Sequence, residues 1–213
     1  PETTDAARAA VSAALGMIDA WPVLPEPFTQ WIVEDRFAAG RPDLAAAGVQ
    51  LVTDVTPFEH MKLRLLNASH SAVAYLGYLA GHETIAATMA DQRFAAFAAQ
   101  MMDEAAVTLT MPPGTDLATY SQSLLKRFSN PALHHRTWQI AMDGSQKLPQ
   151  RLLGTMRDRL ALNLPIDTHA LAVAGWMRYV TGIDEQGQKI DVRDPIAAEL
   201  ADIAKASGPV ADR

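Results

Sequence analysis

TPFEHMKLRLLNASHSAVAYLGY, residues 56–78, has the pattern of one long helix. Thr56 suits an N-cap, Pro57 the first helical position, and Glu59 completes a capping box. Leu, Ala, Val, Met and Tyr fill most of the rest, so the helix is expected to be buried. Its polar members include Glu59, Lys62, Asn67 and His70. At about 100° per residue these four share an arc of roughly 140° on a regular helix. That predicts a polar strip lining a closed cleft, away from bulk water.

On either side of this helix the punctuation predicts more helices. Upstream, residues 3–20 carry apolar residues at helical spacing, interrupted by Gly16, and the proline-rich WPVLPEP at 21–27 reads as a connector. QWIVE at 30–34 and VQLV at 49–52 are rich in β-formers and predict a small strand pair flanking the loop 40–43. Downstream, Gly77 and Gly81 permit a close helix contact or a chain break. Helices are then expected over 91–108, 116–127, 131–142, 146–162 and 167–181, with a last one from Pro195, each bounded by Pro, Gly or Asn signals. The fold class expected is mainly α, multi-helical, with a minor β element near the N-terminus.

Composition narrows the function classes. The 213 residues suffice for one sizeable core. There is no cysteine, which excludes disulfides and thiolate metal sites. A formal charge of −6 and the lack of any dense Lys/Arg run argue against nucleic acid as a partner. No apolar stretch is long enough to span a membrane, and no signal peptide is visible, so a cytoplasmic protein is expected. The six histidines form no zinc-ligand spacing: His82-Glu83 lacks a second histidine, and His134 and His135 point apart on a helix. No G-x-G-x-x-G occurs, so no dinucleotide-binding fold is expected within the chain, and no G-x-S-x-G nucleophile motif is present.

The polar strip is the first candidate for chemistry. A buried lysine loses solvation of its ammonium, which lowers its pKa toward the range of a general acid or base. Asn67 can donate to a developing alkoxide, and His70 can hold a substrate hydroxyl toward Lys62. Glu59, one turn from Lys62, is a candidate proton relay, although its capping role already accounts for it. The competing reading has Lys62 reaching solvent, Asn67 satisfying a backbone group and His70 packed as a core histidine. A second cluster lies in RFSNPALHHRTWQIAMDGSQKLPQR, residues 127–151, where Arg127, Arg136, Lys147 and Arg151 can clamp substrate hydroxyls or a carboxylate. Alternatively, several of them solvate helix faces or helix ends.

KLRLLNASH, with its Lys-x4-Asn-x2-His spacing, resembles the signature of the long-chain polyol dehydrogenases, the mannitol dehydrogenase and fructuronate reductase family. The likeness extends to PFTQWIVEDRFAAGRP, to VTPFEHMKLRLLNASHSAVAYLGYLAGHET, to the 127–151 segment and to GIDEQGQKIDVRDP, in family order over most of residues 27–195. The resemblance implies a helical substrate domain that follows an N-terminal Rossmann domain binding NAD. It makes Lys62 the general acid/base, with no metal; Asn67 would polarise the reacting oxygen and His70 would position the substrate, a polyol or sugar acid. Lys147 would contact the substrate. Gln139 stands where mannitol-type members tend to carry Arg, which resembles the fructuronate reductase branch; there Arg136 would face a carboxylate.

By the same resemblance the chain is a fragment. Residues 1–26 would be the connector and the end of the missing nucleotide-binding domain, which also holds a second asparagine of the oxyanion site. Residues 27–213 would be the catalytic and substrate domain, continuing past Arg213. The chain alone is expected to bind cofactor poorly and to turn over slowly or not at all. The rival from another class is a non-catalytic helical interaction module. One observable separates the two: Lys62, Asn67 and His70 converge on a pocket beside Lys147, or they diverge with Lys62 in solvent.

Overall fold

A computed structural model describes residues 3–23 and 28–207; part of the expected connector, 24–27, lies outside them. The chain divides into two compact units, 1–55 and 56–213.

In the first unit, α1 (Asp5–Leu15) starts at Thr4, whose side chain accepts from the Ala7 N–H, and stops at Gly16 in the left-handed region (φ 67°). The glycine that interrupts the helical pattern is therefore its terminator. The expected strand pair is present as β1 (Ile32–Glu34) and β2 (Gln50–Val52), paired in parallel with Ile32 opposite Gln50. A short 3₁₀ turn, Ala45–Ala47, lies between them. This unit buries little: α1 has no buried residue, and Ile18 and Trp21 are 91% and 73% exposed.

The second unit is helical. The predicted long helix forms from Thr56 to Leu79 in three consecutive pieces: α2 (Thr56–Met61), a π-helical turn (Lys62–Asn67) and α3 (Ala68–Leu79). Burial is concentrated in α3, where Ala68, Ala72, Val73, Ala74 and Tyr75 are all wholly enclosed. Then follow α4 (Ile85–Ala90), α5 (Gln92–Ala106), α6 (Leu117–Phe128), α7 (Thr137–Ile140), α8 (Gly144–Leu148), a second π turn (Pro149–Leu153), α9 (Gly154–Ala161), α10 (Asp167–Tyr179) and α11 (Ala197–Ser207). Side-chain caps set three of the starts: Thr84, Asp91 and Asp116 accept from the backbone N–H of Ala87, Arg93 and Thr119.

Two expectations differ from what forms. The helix expected over 131–142 shrinks to the four residues of α7. The segment before it is held extended by pairing with 83–85: Ile85 N–H donates to the His135 carbonyl, Thr137 N–H to the Glu83 carbonyl, and Thr84 bridges Arg136. The helix expected over 146–162 forms as α8, the π turn and α9. Pro149 has no N–H for a regular ladder, and Gly154 N–H instead reaches back five residues to the Pro149 carbonyl.

Helix α3 is the axis of this unit, with α4, α7 and α10 packed on it. Close approach depends on missing side chains. A Cβ on Gly77 would collide with the Thr88 side chain of α4, and one on Gly175 of α10 would lie 2.7 Å from Leu76 Cδ2. Gly81, at φ 84°, ends the helix run, so the two glycines split the alternatives: Gly77 makes the contact and Gly81 the break. Tyr75 donates to the Ala141 carbonyl (2.9 Å) and meets Tyr179 edge-on, tying α7 and α10 to the same point. A buried polar knot joins α5, α9 and α10: Arg159 donates to the Glu104 and Pro165 carbonyls, and the Glu104 carboxylate accepts from Thr168. Among the described residues no helix is long and apolar enough to cross a membrane.

Gly77→Ala should lower the unfolding free energy by about 1–3 kcal/mol, the usual cost of overpacking. A urea midpoint equal to the wild type's would show that α3 and α4 are not held at this distance.

Candidate active site

The π turn reshapes the polar strip. Ala68 N–H donates to the Leu63 carbonyl, five residues back. One extra residue in a turn rotates everything downstream back by about 100°. The roughly 140° arc of a regular helix therefore closes to about 80°, and Lys62 and Asn67, at the two ends of the turn, come to lie one above the other within about 40°.

The strip runs from solvent into the fold. Glu59 and Lys62 are exposed, and Asn67 and His70 are half-buried. This corrects the expected closed cleft: within this chain Lys62 is exposed. The apolarity that suggested burial belongs to α3, one turn further on.

His70 is the enclosed member. Its ring stacks on Phe128 of α6 at 4.8 Å and lies 5.4 Å from His135, and its Nε2 is shut off from solvent with no hydrogen-bond partner. Burial first, then the positive charges of His135, Arg151 and Arg127, push its pKa down to about 3. At neutral pH it is an uncharged imidazole, suited to exchange a hydrogen bond with a hydroxyl. Beside it, Arg151 of the second π turn donates from Nη1 to Ser71 Oγ of α3 (2.9 Å), and the two π turns also pack on each other.

The three residues expected to bind substrate stand on other elements: Lys147 on α8, Gln139 on α7 and Arg136 at the start of α7. Lys147 donates to the Met142 carbonyl (2.6 Å) and lies 3.6 Å from the Asp143 carboxylate. Gln139 is exposed on α7, which packs along α3. Arg136 is also exposed and lines a cavity of about 450 Å³ with Tyr78, His82, Glu83 and Trp138, at the C-terminal end of α3. Of the residues around His70, the sequence reading offers Arg127 and Arg151 as possible clamps but does not connect them with His70. His135 had been weighed only as a metal ligand, and Arg151 only as one of four cations. Among the described residues no group of three or more His, Asp or Glu is placed to hold a metal ion.

Residues 54–209 match the family described as mannitol dehydrogenase C-terminal domain. The chain belongs to that family. It is 55% identical to the D-mannonate oxidoreductase of Escherichia coli K12, over 95% of this chain and 42% of that protein. The solved mannitol 2-dehydrogenase of Pseudomonas fluorescens, a ternary complex with NAD and D-mannitol, superposes with a TM-score of 0.86 at 40% identity, covering 96% of this chain and 42% of that one. A substrate-free D-sorbitol dehydrogenase gives 0.87 at 33% identity, covering 96% and 43%. The chain thus spans about two fifths of the length of the curated relatives it matches.

The depressed histidines set a pH dependence. His70 is lowered to about 3, and His169, buried beside Arg159 and Glu104, to about 4. Their unfolded forms titrate near 6.5, so the unfolded state binds more protons between those values. Their contribution is complete above about pH 6.5 and is lost as pH falls toward 4. Urea midpoints at pH 7.5 and 5 should show this loss, with a shallower slope in His70→Phe; an unchanged slope would remove His70 as its source.

Proposed function

We propose that the protein carrying this chain is an NAD-dependent dehydrogenase interconverting a secondary alcohol and a ketone on a polyol or hexonate. D-mannonate/D-fructuronate is favoured over D-mannitol/D-fructose. Residues 27–213 act as its catalytic and substrate domain and 1–26 as the junction to a nucleotide-binding domain. The observation that carries this reading is the π turn. It stacks Lys62 over Asn67 and leads to a neutral, unpartnered His70, in a chain of the mannitol dehydrogenase family. The 55% identity to a D-mannonate oxidoreductase and the glutamine at 139 support the sugar-acid branch.

The described residues do not build a dinucleotide cradle: their sheet has two short strands and no glycine-rich strand-to-helix turn. NAD is assigned to residues outside this chain, where it supplies the hydride acceptor. On this chain Lys62 takes the hydroxyl proton, Asn67 donates to the oxygen as charge grows on it, and His70 Nε2 orients a substrate hydroxyl. Glu59 passes the proton between Lys62 and water. The proton chemistry is assigned to Lys62 without a metal. Lys147, Gln139 and Arg136 meet the remaining substrate groups, Lys147 after leaving the Met142 carbonyl. An exposed Lys62 fits a site completed by residues beyond the chain, and the protein is assigned to the cytoplasm. The same exposure, with Lys147 held on Met142, is what favours the second reading, a helical interaction module without catalysis.

The test is NAD-dependent oxidation of D-mannonate and D-mannitol by the full-length protein. Lys62→Ala should lower kcat by roughly 10²- to 10⁴-fold, the range of general acid–base catalysis. Turnover of neither compound, or full activity in the variant, would favour the interaction module.

A further inference from the structure

The two arginines most enclosed alongside Arg151 in the helical unit are neutralised within the fold. Arg64 pairs with Asp158 at 2.6 Å and donates to Thr108, and Arg159 sits against Glu104 and two carbonyls. Arg151 is different. Half-buried on the π turn Pro149–Leu153, it donates Nη1 to the Ser71 hydroxyl, while its Nε is enclosed with no partner. Among the described residues no carboxylate pairs with it. Charges taken out of water are normally paired, so a guanidinium left this way has unspent capacity for an anion.

Its surroundings reinforce that reading. Ser71, the group that anchors Arg151, is the neighbour in sequence of His70, whose own Nε2 is enclosed and unpartnered. The charged groups acting on the His70 ring are His135, Arg151 and Arg127, all basic, in a chain whose net charge is −6. Two orphaned donors or acceptors and a set of basic neighbours thus gather around His70, three residues beyond the end of the Lys62–Asn67 turn. With Nη1 on Ser71, the Nε edge of the guanidinium is the edge left without a protein partner, and such an edge suits a bidentate carboxylate.

We propose that Arg151, held in place by Ser71, is the anchor for the carboxylate of a sugar-acid substrate, with His70 Nε2 meeting the same molecule. This rests on the dehydrogenase reading above and selects the acidic over the neutral substrate class. Arg151 touches the substrate end remote from the proton transfer and acts on specificity, while Lys62 and Asn67 act on the reacting carbon.

The experiment uses the full-length protein with wild-type Arg151, Arg151→Gln and Arg151→Lys. Calorimetric binding of D-mannonate and of D-mannitol is measured first, because it needs no turnover, followed by kcat/KM for both with NAD. The preference for D-mannonate over D-mannitol, as a ratio of affinities and of kcat/KM, should fall roughly 10- to 100-fold in Arg151→Gln and recover in part in Arg151→Lys. KM for D-mannonate should carry most of the change. A wild type that does not bind D-mannonate in preference to D-mannitol overturns the assignment, as does a ratio unchanged in Arg151→Gln, including an equal loss on both compounds. Preferential binding of D-mannonate that depends on Arg151, without turnover of either compound, would sustain the anion site and overturn the dehydrogenase reading instead.

Discussion

Enclosing α3 on every side is the constraint that orders the rest of the helical unit. A helix with no solvent face has nowhere to put long polar side chains, and its neighbours can come close only where one partner lacks a side chain. Gly77 and Gly175 provide those places against α4 and α10. The hydroxyl of Tyr75, the largest group on the enclosed part, is satisfied by the Ala141 carbonyl. Polar chemistry is therefore confined to the N-terminal approach to α3, where burial is still incomplete, and that is where Lys62, Asn67 and His70 stand.

The first π turn aligns the polar residues of that approach. A regular ladder would have left Lys62 and Asn67 on diverging faces; the extra residue brings them into line. The second π turn packs on the first and carries Arg151 to Ser71, one turn into α3.

Much of this was legible in the residues. Capping and stop signals located α5, α6 and α10 to within a residue or two, because Asp91, Asp116 and Gly182 act locally. The Lys-x4-Asn-x2-His spacing is the pattern in the residues that singles out the strip. What was not legible depends on long-range partners. Residues 131–136 have an acceptable helical pattern but are drawn into pairing with 83–85. A π turn has no compositional signature; only Pro149 hinted at one, and nothing in KLRLLN did. The exposure of Lys62 could have been foreseen from its own neighbours, since Glu59, His60 and Arg64 flank it, but the apolar run of α3 was extended over them. The grouping of His135 and Arg151 with His70 was not legible, because only the tertiary fold brings their separate segments together.

The two π turns differ in what maintains them. In the second, the pyrrolidine ring of Pro149 occupies the place of a backbone donor, so no rearrangement can restore a regular ladder through that residue. In the first, every residue from Lys62 to Asn67 keeps its N–H, and a regular ladder remains covalently available. Only packing withholds it. The alignment of the lysine with the asparagine is thus a property of the folded assembly, borrowed from the contacts around it, whereas the turn that carries the arginine opens on one irregularity, at Pro149, that no contact can remove.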